Sequence, residues 1–230
     1  MFFQLMQSSG DLRSLAVTAV AIIVAFVVGI GFHEFSHVLV AYLLGDTTGR
    51  DLGRLTLNPL RHLDPFGSMM LILVGFGWGK PAPVNPYKLR TGPTTGWSLV
   101  ALAGPVSNFL VAGVLATLLK LLPVGQGLAA GGATAGWTDF LARVFIFTIS
   151  INILLGVFNL LPIPPLDGYR VALRLLPTDI AASFRRIEQY GPVILMALFA
   201  IPFFTGSRFN PIGYLIGPVT SGLTRYLLGG

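Results

Sequence analysis

His33, Glu34 and His37 stand inside the longest apolar run of the chain, in the stretch GIGFHEFSHVLVAYLLG (residues 29–45). Ionisable side chains in such a run are expensive to keep and usually serve a function. The two histidines are spaced i and i+4. On a helix they share one face, about 6 Å apart along the axis, so both imidazoles can reach one metal ion. Glu34, beside the first histidine, is placed to act as general base on an activated water. H-E-x-x-H on a helix is the arrangement that binds zinc for hydrolysis. The plainer reading, polar bundle residues bonded to neighbouring helices, would fit a lone histidine better than this trio.

A hydrolytic zinc site takes three protein ligands and keeps one position open. The chain has no cysteine, which excludes a thiolate ligand, a cysteine nucleophile and disulfides. The third ligand must therefore be His or a carboxylate. Asp11 and Asp139 fall at the membrane face opposite the histidine pair. Asp167 falls at the same face, in NLLPIPPLDG (residues 159–168). The prolines of that segment cannot continue a helix, and the carbonyls they free need polar partners or water. Such a break would build a rigid polar niche presenting Asp167. The alternative is a plain helix end followed by an Asp–Gly turn.

Positioning these groups falls to membrane-spanning elements. Of 230 residues, 53% are hydrophobic and only 10% charged, against about 25% charged in an ordinary soluble domain. The composition predicts a single all-α domain embedded in the lipid bilayer over residues 1–230. Apolar segments of spanning length are expected at about 13–44, 97–122 and 138–161. Shorter, proline-containing segments follow at 190–205 and 209–228, the first broken by Pro192 and Pro202. The first run is over-long for an upright span and should tilt or protrude. Residues 65–90 hold an apolar part too short to cross, followed by GWGKPAPVNP, and predict a re-entrant element or a β-hairpin at the membrane edge. Five to six spans result.

The net charge is +6, but the basic residues are spread over short loops, which indicates topology rather than nucleic-acid binding. Lys and Arg gather at 45–96 and 168–189 and are absent from 123–137. The first two stretches are expected in the cytoplasm, with the N-terminus outside, the C-terminus inside and the metal site toward the cytoplasm. The N-terminus lacks the basic start of a signal peptide and is expected to be retained. No internal repeat is evident, which argues against a transporter with two symmetric halves.

HEFSH in a transmembrane helix, followed more than a hundred residues later by NLLPIPPLDG, resembles the two motifs of the site-2 protease family of intramembrane zinc metalloproteases. AGPVSN, with Gly104, Pro105 and Asn108, resembles that family's central helix. The likeness covers a three-helix catalytic core within about residues 13–175. LNPLRHLDPFG and GWGKPAPVNP resemble the compact prokaryotic branch that lacks PDZ and CBS domains. The resemblance implies one zinc ion per chain held by His33, His37 and Asp167, with Glu34 as the catalytic base. It implies a possible role for Asn159 in donating to the scissile carbonyl or its oxyanion, the alternative being a helix–helix hydrogen bond. Asn108 is expected to pack or bond across the core helices. His62 and Asp64 stay outside the catalytic set. Bonding to a ligand's free imidazole nitrogen and a loop-capping role are equally open for them.

The resemblance further implies regulated cleavage within or near the transmembrane segment of a single-span protein or a remnant signal peptide. A helical substrate must unwind first, and the 76–90 hairpin could clamp the unwound strand by edge pairing. Two other readings use the same residues: a metal permease, and a non-proteolytic relative that binds membrane partners. The intact Glu34 and a one-sided metal site count against the first. The undamaged motifs count against the second.

Overall fold

In the computed structural model, residues 12–67, 69, 79–122, 137–206 and 208–229 are described. They fold as helices, with no strand among the described residues. Helices α1 (Leu12–Leu43), α2 (Pro93–Leu121) and α3 (Trp137–Asn159) contain 32, 29 and 23 residues. They are the described helices long and apolar enough to cross a bilayer, close to the three long segments expected. At about 1.5 Å per residue, α1 is about 48 Å long, well beyond the roughly 30 Å hydrocarbon core.

All three long helices pack against one another. In lipid no hydrophobic force draws helices together, so association depends on close approach through small residues and on buried polar bonds. Ala21, Ala25, Ala112 and Ala116 are buried where the helices meet, while Ile23, Leu110 and Val114 face outward. Arg143 on α3 bonds Asp139 one turn earlier and reaches Thr18 Oγ1 on α1, tying the helices together near the start of α3.

Besides single-turn helices such as Thr48–Asp51, four shorter helices follow: α4 (Asp167–Leu175), α5 (Thr178–Arg185), α6 (Gly191–Phe204) and α7 (Pro211–Leu228). The last two lie where the segments at 190–205 and 209–228 were expected, and have 14 and 18 residues. The expected break in the first of these does not occur. Pro192 lies in the first turn of α6, where a missing N–H costs nothing, and the helix runs through Pro202. Leu195 of α6 and Ile212 and Ile216 of α7 bury Leu161 and Leu166, which brackets the proline-rich segment before α4.

Between α1 and α2 the chain is held by polar contacts. Asp46 is almost fully buried. Its Oδ1 accepts from the Thr48 backbone and hydroxyl, and its Oδ2 accepts from Asn85 N–H at 2.6 Å. Burial opposes its charge, but these donors outweigh burial and hold the carboxyl below its ordinary value. Part of the expected re-entrant element, residues 68 and 70–78, lies outside the described residues. Its far flank shows an isolated antiparallel bridge between Leu63 and Gly79. Lys80 N–H donates to His62 O at 2.7 Å, and Arg54 Nη2 donates to Lys80 O at 2.6 Å.

Candidate metal centre

α1 carries His33 and His37 on one face, both buried. α4 begins at Asp167 and aims it at the same point. His33 Nε2 lies 3.1 Å and His37 Nε2 3.3 Å from Asp167 Oδ2. The three candidate ligand atoms fall within 4.8 Å of one another. Zinc bonds of about 2.0–2.2 Å in a tetrahedron put donor atoms roughly 3.3 Å apart, so the spacing fits a single zinc ion.

The hydrogen bonds decide which nitrogens face that point. His37 Nδ1 donates to Val100 O at 2.7 Å; a carbonyl can only accept, so the proton is on Nδ1. His33 Nδ1 lies 2.7 Å from Asn108 Oδ1. The Asn108 amide is oriented by its other contacts, because Nδ2 donates to Gly29 O at 3.0 Å and to Asn152 Oδ1 at 2.9 Å. Asn152 is oriented in turn by donating to Thr148 O at 2.8 Å. A chain of amides thus runs from α3 through α2 to His33 on α1. Both Nε2 atoms then present lone pairs toward Asp167 Oδ2, which is itself buried without a hydrogen bond. Three such atoms facing one point need a metal ion or protons between them, and the spacing suits a metal ion.

The walls of this site have steric reasons. Gly104 of α2 lies flat against the imidazoles: a Cβ there would come 2.5 Å from His37 Nε2 and 2.6 Å from His33 Cε1. The next residue, Pro105, has no N–H to donate back and crowds the preceding turn. The carbonyl it leaves without a helical donor is that of Ala101, next to the Val100 O that accepts from His37. Behind Asp167, a Cβ on Gly168 would overlap the carbonyls of Leu160 and Leu161. The Asp–Gly pair is therefore the tightly packed first turn of α4, not a free turn. α4 is held further along by Arg170, which pairs with Glu188 and stacks 4.0 Å over the Trp97 ring of α2.

Glu34 sits next to His33, and its Oε2 is buried without a hydrogen-bond partner. Gly79 passes close by: a Cβ there would lie 3.8 Å from Glu34 Oε1 and 2.9 Å from His62 O. Asn159 lies at the end of α3, where Nδ2 donates to Leu155 O of its own helix at 3.0 Å. His62 is fully buried, but its Nε2 contacts Thr56 O at 2.6 Å. Asp64 caps the following turn through Gly67 N–H. Of the alternatives left open for these two, the loop role is the one their bonds follow. The imidazole partners are Asn108 and Val100 O instead. Asn108 does bond across the core helices, as expected; its contact with His33, and the part played by Asn152, were missed. The available signal was the cost of a lone amide in an apolar span.

Replacing Asn108 by Leu is expected to weaken zinc binding by about 10–100-fold, as loss of an outer partner of a ligating histidine commonly does. Zinc competition with a chromophoric chelator reads this directly. An unchanged affinity would mean that the amide chain serves helix packing alone.

A family model described as peptidase family M50 matches residues 21–201. Two bacterial relatives are each named a putative zinc metalloprotease. YwhC of Bacillus subtilis (strain 168) is 40% identical over 182 residues, covering 79% of this chain and 80% of the relative. Rip2 of Mycobacterium tuberculosis (strain ATCC 25618 / H37Rv) is 32% identical over 204 residues, covering 85% and 73%. No solved structure matches the chain at a significant level. The family match extends through all three long helices and takes in His33, His37 and Asp167, and the chain accordingly belongs to peptidase family M50, the site-2 protease family of membrane metalloproteases.

Proposed function

We propose that this protein is an intramembrane zinc endopeptidase that cuts a peptide bond within or near the transmembrane segment of a single-span protein or remnant signal peptide. His33, His37 and Asp167 hold one zinc per chain. The observation that carries the reading is the convergence of two imidazole lone pairs and a buried carboxylate oxygen beside an unpartnered glutamate, on a helix of membrane-spanning length. Zinc bound there supplies Lewis-acid polarisation of the scissile carbonyl and lowers the pKa of water toward neutrality.

The chain's own groups do the rest. Glu34 takes the proton of the attacking water on a carboxylate oxygen and delivers it to the leaving amine. Asn159 donates to the carbonyl oxygen of the scissile bond, its amide turning away from Leu155 O to do so. Asn159→Ala is then expected to lower kcat by about 10²-fold or more with KM little changed, the effect of losing one oxyanion donor. Equal rates for variant and parent would leave Asn159 as a helix-terminal amide.

A helical substrate hides its peptide bonds, so a segment must be drawn out and held extended. The Gly79–Pro81 stretch runs past Glu34, and both backbone groups of Lys80 are already bonded on the Arg54 and His62 side. Successive residues of extended chain point opposite ways, which leaves the Gly79 N–H and C=O on the other edge for strand addition by the substrate. Lys80→Pro removes the N–H bonded to His62 O and is expected to impair cleavage while zinc is retained. Full cleavage by that variant would dismiss the clamp.

The basic loops at 45–96 and 168–189 support a site opening toward the cytoplasm, an outside N-terminus and an inside C-terminus. α6 and α7, with a re-entrant 65–79, would complete five to six spans. The deciding experiment is cleavage of a generic single-span substrate by the purified full chain in detergent, before and after zinc is stripped with 1,10-phenanthroline and then restored. Loss and recovery of cleavage with one zinc per chain is the expected result. Zinc bound without any cleavage across a panel of substrates would favour a binding-only relative, and metal uptake into vesicles would favour a permease.

A further inference from the structure

The end of the molecule that carries Asp167 holds a second concavity. The last turn of α4, the face of α5 from Thr178 to Arg185 and the start of α2 line an open concavity of about 400 Å³. Its polar lining is Thr94 and Thr95 of α2, Arg174 of α4, and Thr178 and Arg185 of α5, and no carboxylate lines it.

Neither arginine forms an ion pair among the described residues. Arg174 Nε donates to Thr95 Oγ1 at 3.0 Å, and that is its one side-chain bond there. Among the arginines nearby, Arg170 pairs with Glu188 and Arg50 with Asp51. Both guanidinium groups are exposed to solvent at the cavity and free to meet an anion there. The backbone adds to this field. α2 starts at Pro93 after Gly92, and α5 starts at Thr178 after Pro177; neither start has a side-chain cap. Both helix starts therefore offer unsatisfied N–H groups at the cavity.

The surroundings indicate which anion. Thr94 and Thr95 lie in the first turn of α2, at the end of the apolar span Pro93–Leu121. Leu175 and Ile180, on the two helices that form the cavity, are 78% and 55% exposed, apolar side chains suited to the membrane surface. The cavity thus lies at the level of lipid headgroups. We propose that it binds the phosphate of an anionic lipid headgroup, with Arg174, Arg185 and the threonine hydroxyls as donors. Planar guanidinium groups suit phosphate oxygens, and basic pockets at the cytoplasmic ends of spans suit anionic lipids. A soluble phosphate would use the same donors.

The test is native mass spectrometry of the full chain taken from mixed vesicles of phosphatidylglycerol and phosphatidylcholine, beside titration with inorganic phosphate in detergent. The parent protein should retain phosphatidylglycerol selectively. Arg174→Gln with Arg185→Gln should cut that selectivity by about 30-fold, the combined weight of two basic side chains at an anionic surface. The double Arg→Lys variant should keep most of it. Unchanged zinc content reports intact folding, and Arg185→Gln alone, at a side chain with no bond to lose, serves if the double variant does not fold. Saturable inorganic phosphate binding that needs the arginines, without lipid selectivity, would keep the phosphate site and change its source. Lipid retention and phosphate binding that are the same in parent and glutamine variants overturn the proposal.

Discussion

Glu34→Gln is expected to keep its full complement of zinc and to lose proteolysis by about 10³-fold, within the range found for removing a general base. Glutamine has nearly the same shape, so packing on α1 is preserved. Glu34 is not among the three atoms that converge on Asp167 Oδ2, so the candidate ligand set is untouched. The change is confined to one property: the amide cannot accept a proton from water and return it to the amine. The buried Oε2 without a partner is where that proton would go. The comparison needs cleavage of a single-span substrate and zinc content measured on the same preparations. Zinc lost together with activity would make Glu34 a structural group. Activity retained with zinc present would assign the base to some other residue.

Gly104→Ala is the second large effect, and it separates the site from the fold. The added methyl would lie 2.5–2.6 Å from atoms of both imidazoles, so the rings must retreat by most of an ångström. Metal–ligand distances tolerate only about 0.2 Å. In a helix bundle, overpacking by one methyl costs about 1–3 kcal/mol, which α2 can absorb by a small shift. The variant should therefore remain folded, extract from the membrane as the parent does, and hold zinc far more weakly than Asn108→Leu. Zinc titration beside thermal unfolding in detergent distinguishes the two effects. Parental zinc affinity in Gly104→Ala would mean that α2 stands farther from the imidazoles in the membrane than in this structure.

Gly104 and Gly168 also show why neighbouring residues of different type matter as much as the ligands. At Gly168 the obstacle is backbone, the carbonyls of Leu160 and Leu161. A flexible side chain could yield there, and a carbonyl cannot. In the sequence this position looks like half of an ordinary Asp–Gly turn. Its packing in the first turn of α4 becomes visible only when the proline-rich segment is folded back against that helix.

Much of the molecule was legible before any coordinates, for local reasons. Composition and run length specify helices in a membrane, because backbone polar groups in lipid must be satisfied within the segment. The i, i+4 spacing of His33 and His37 places both imidazoles on one face whatever else the chain does. Asp167 was within reach because a proline break and an acidic residue coincide at the matching membrane face. The short helices were harder to delimit, since Pro192 at the start of α6 and Pro202 inside it are punctuation only in some contexts.

The rest was decided by tertiary structure. His33 and Asn108 are 75 positions apart and His37 and Val100 are 63 apart, and no periodicity along a chain encodes which amide meets which imidazole. The same is true of His62 and Asp64, whose types suit a metal site but whose bonds close a loop. Residue type and spacing state what chemistry a chain can perform. Which nitrogen carries the proton, and where its lone pair points, depends on how three helices pack together.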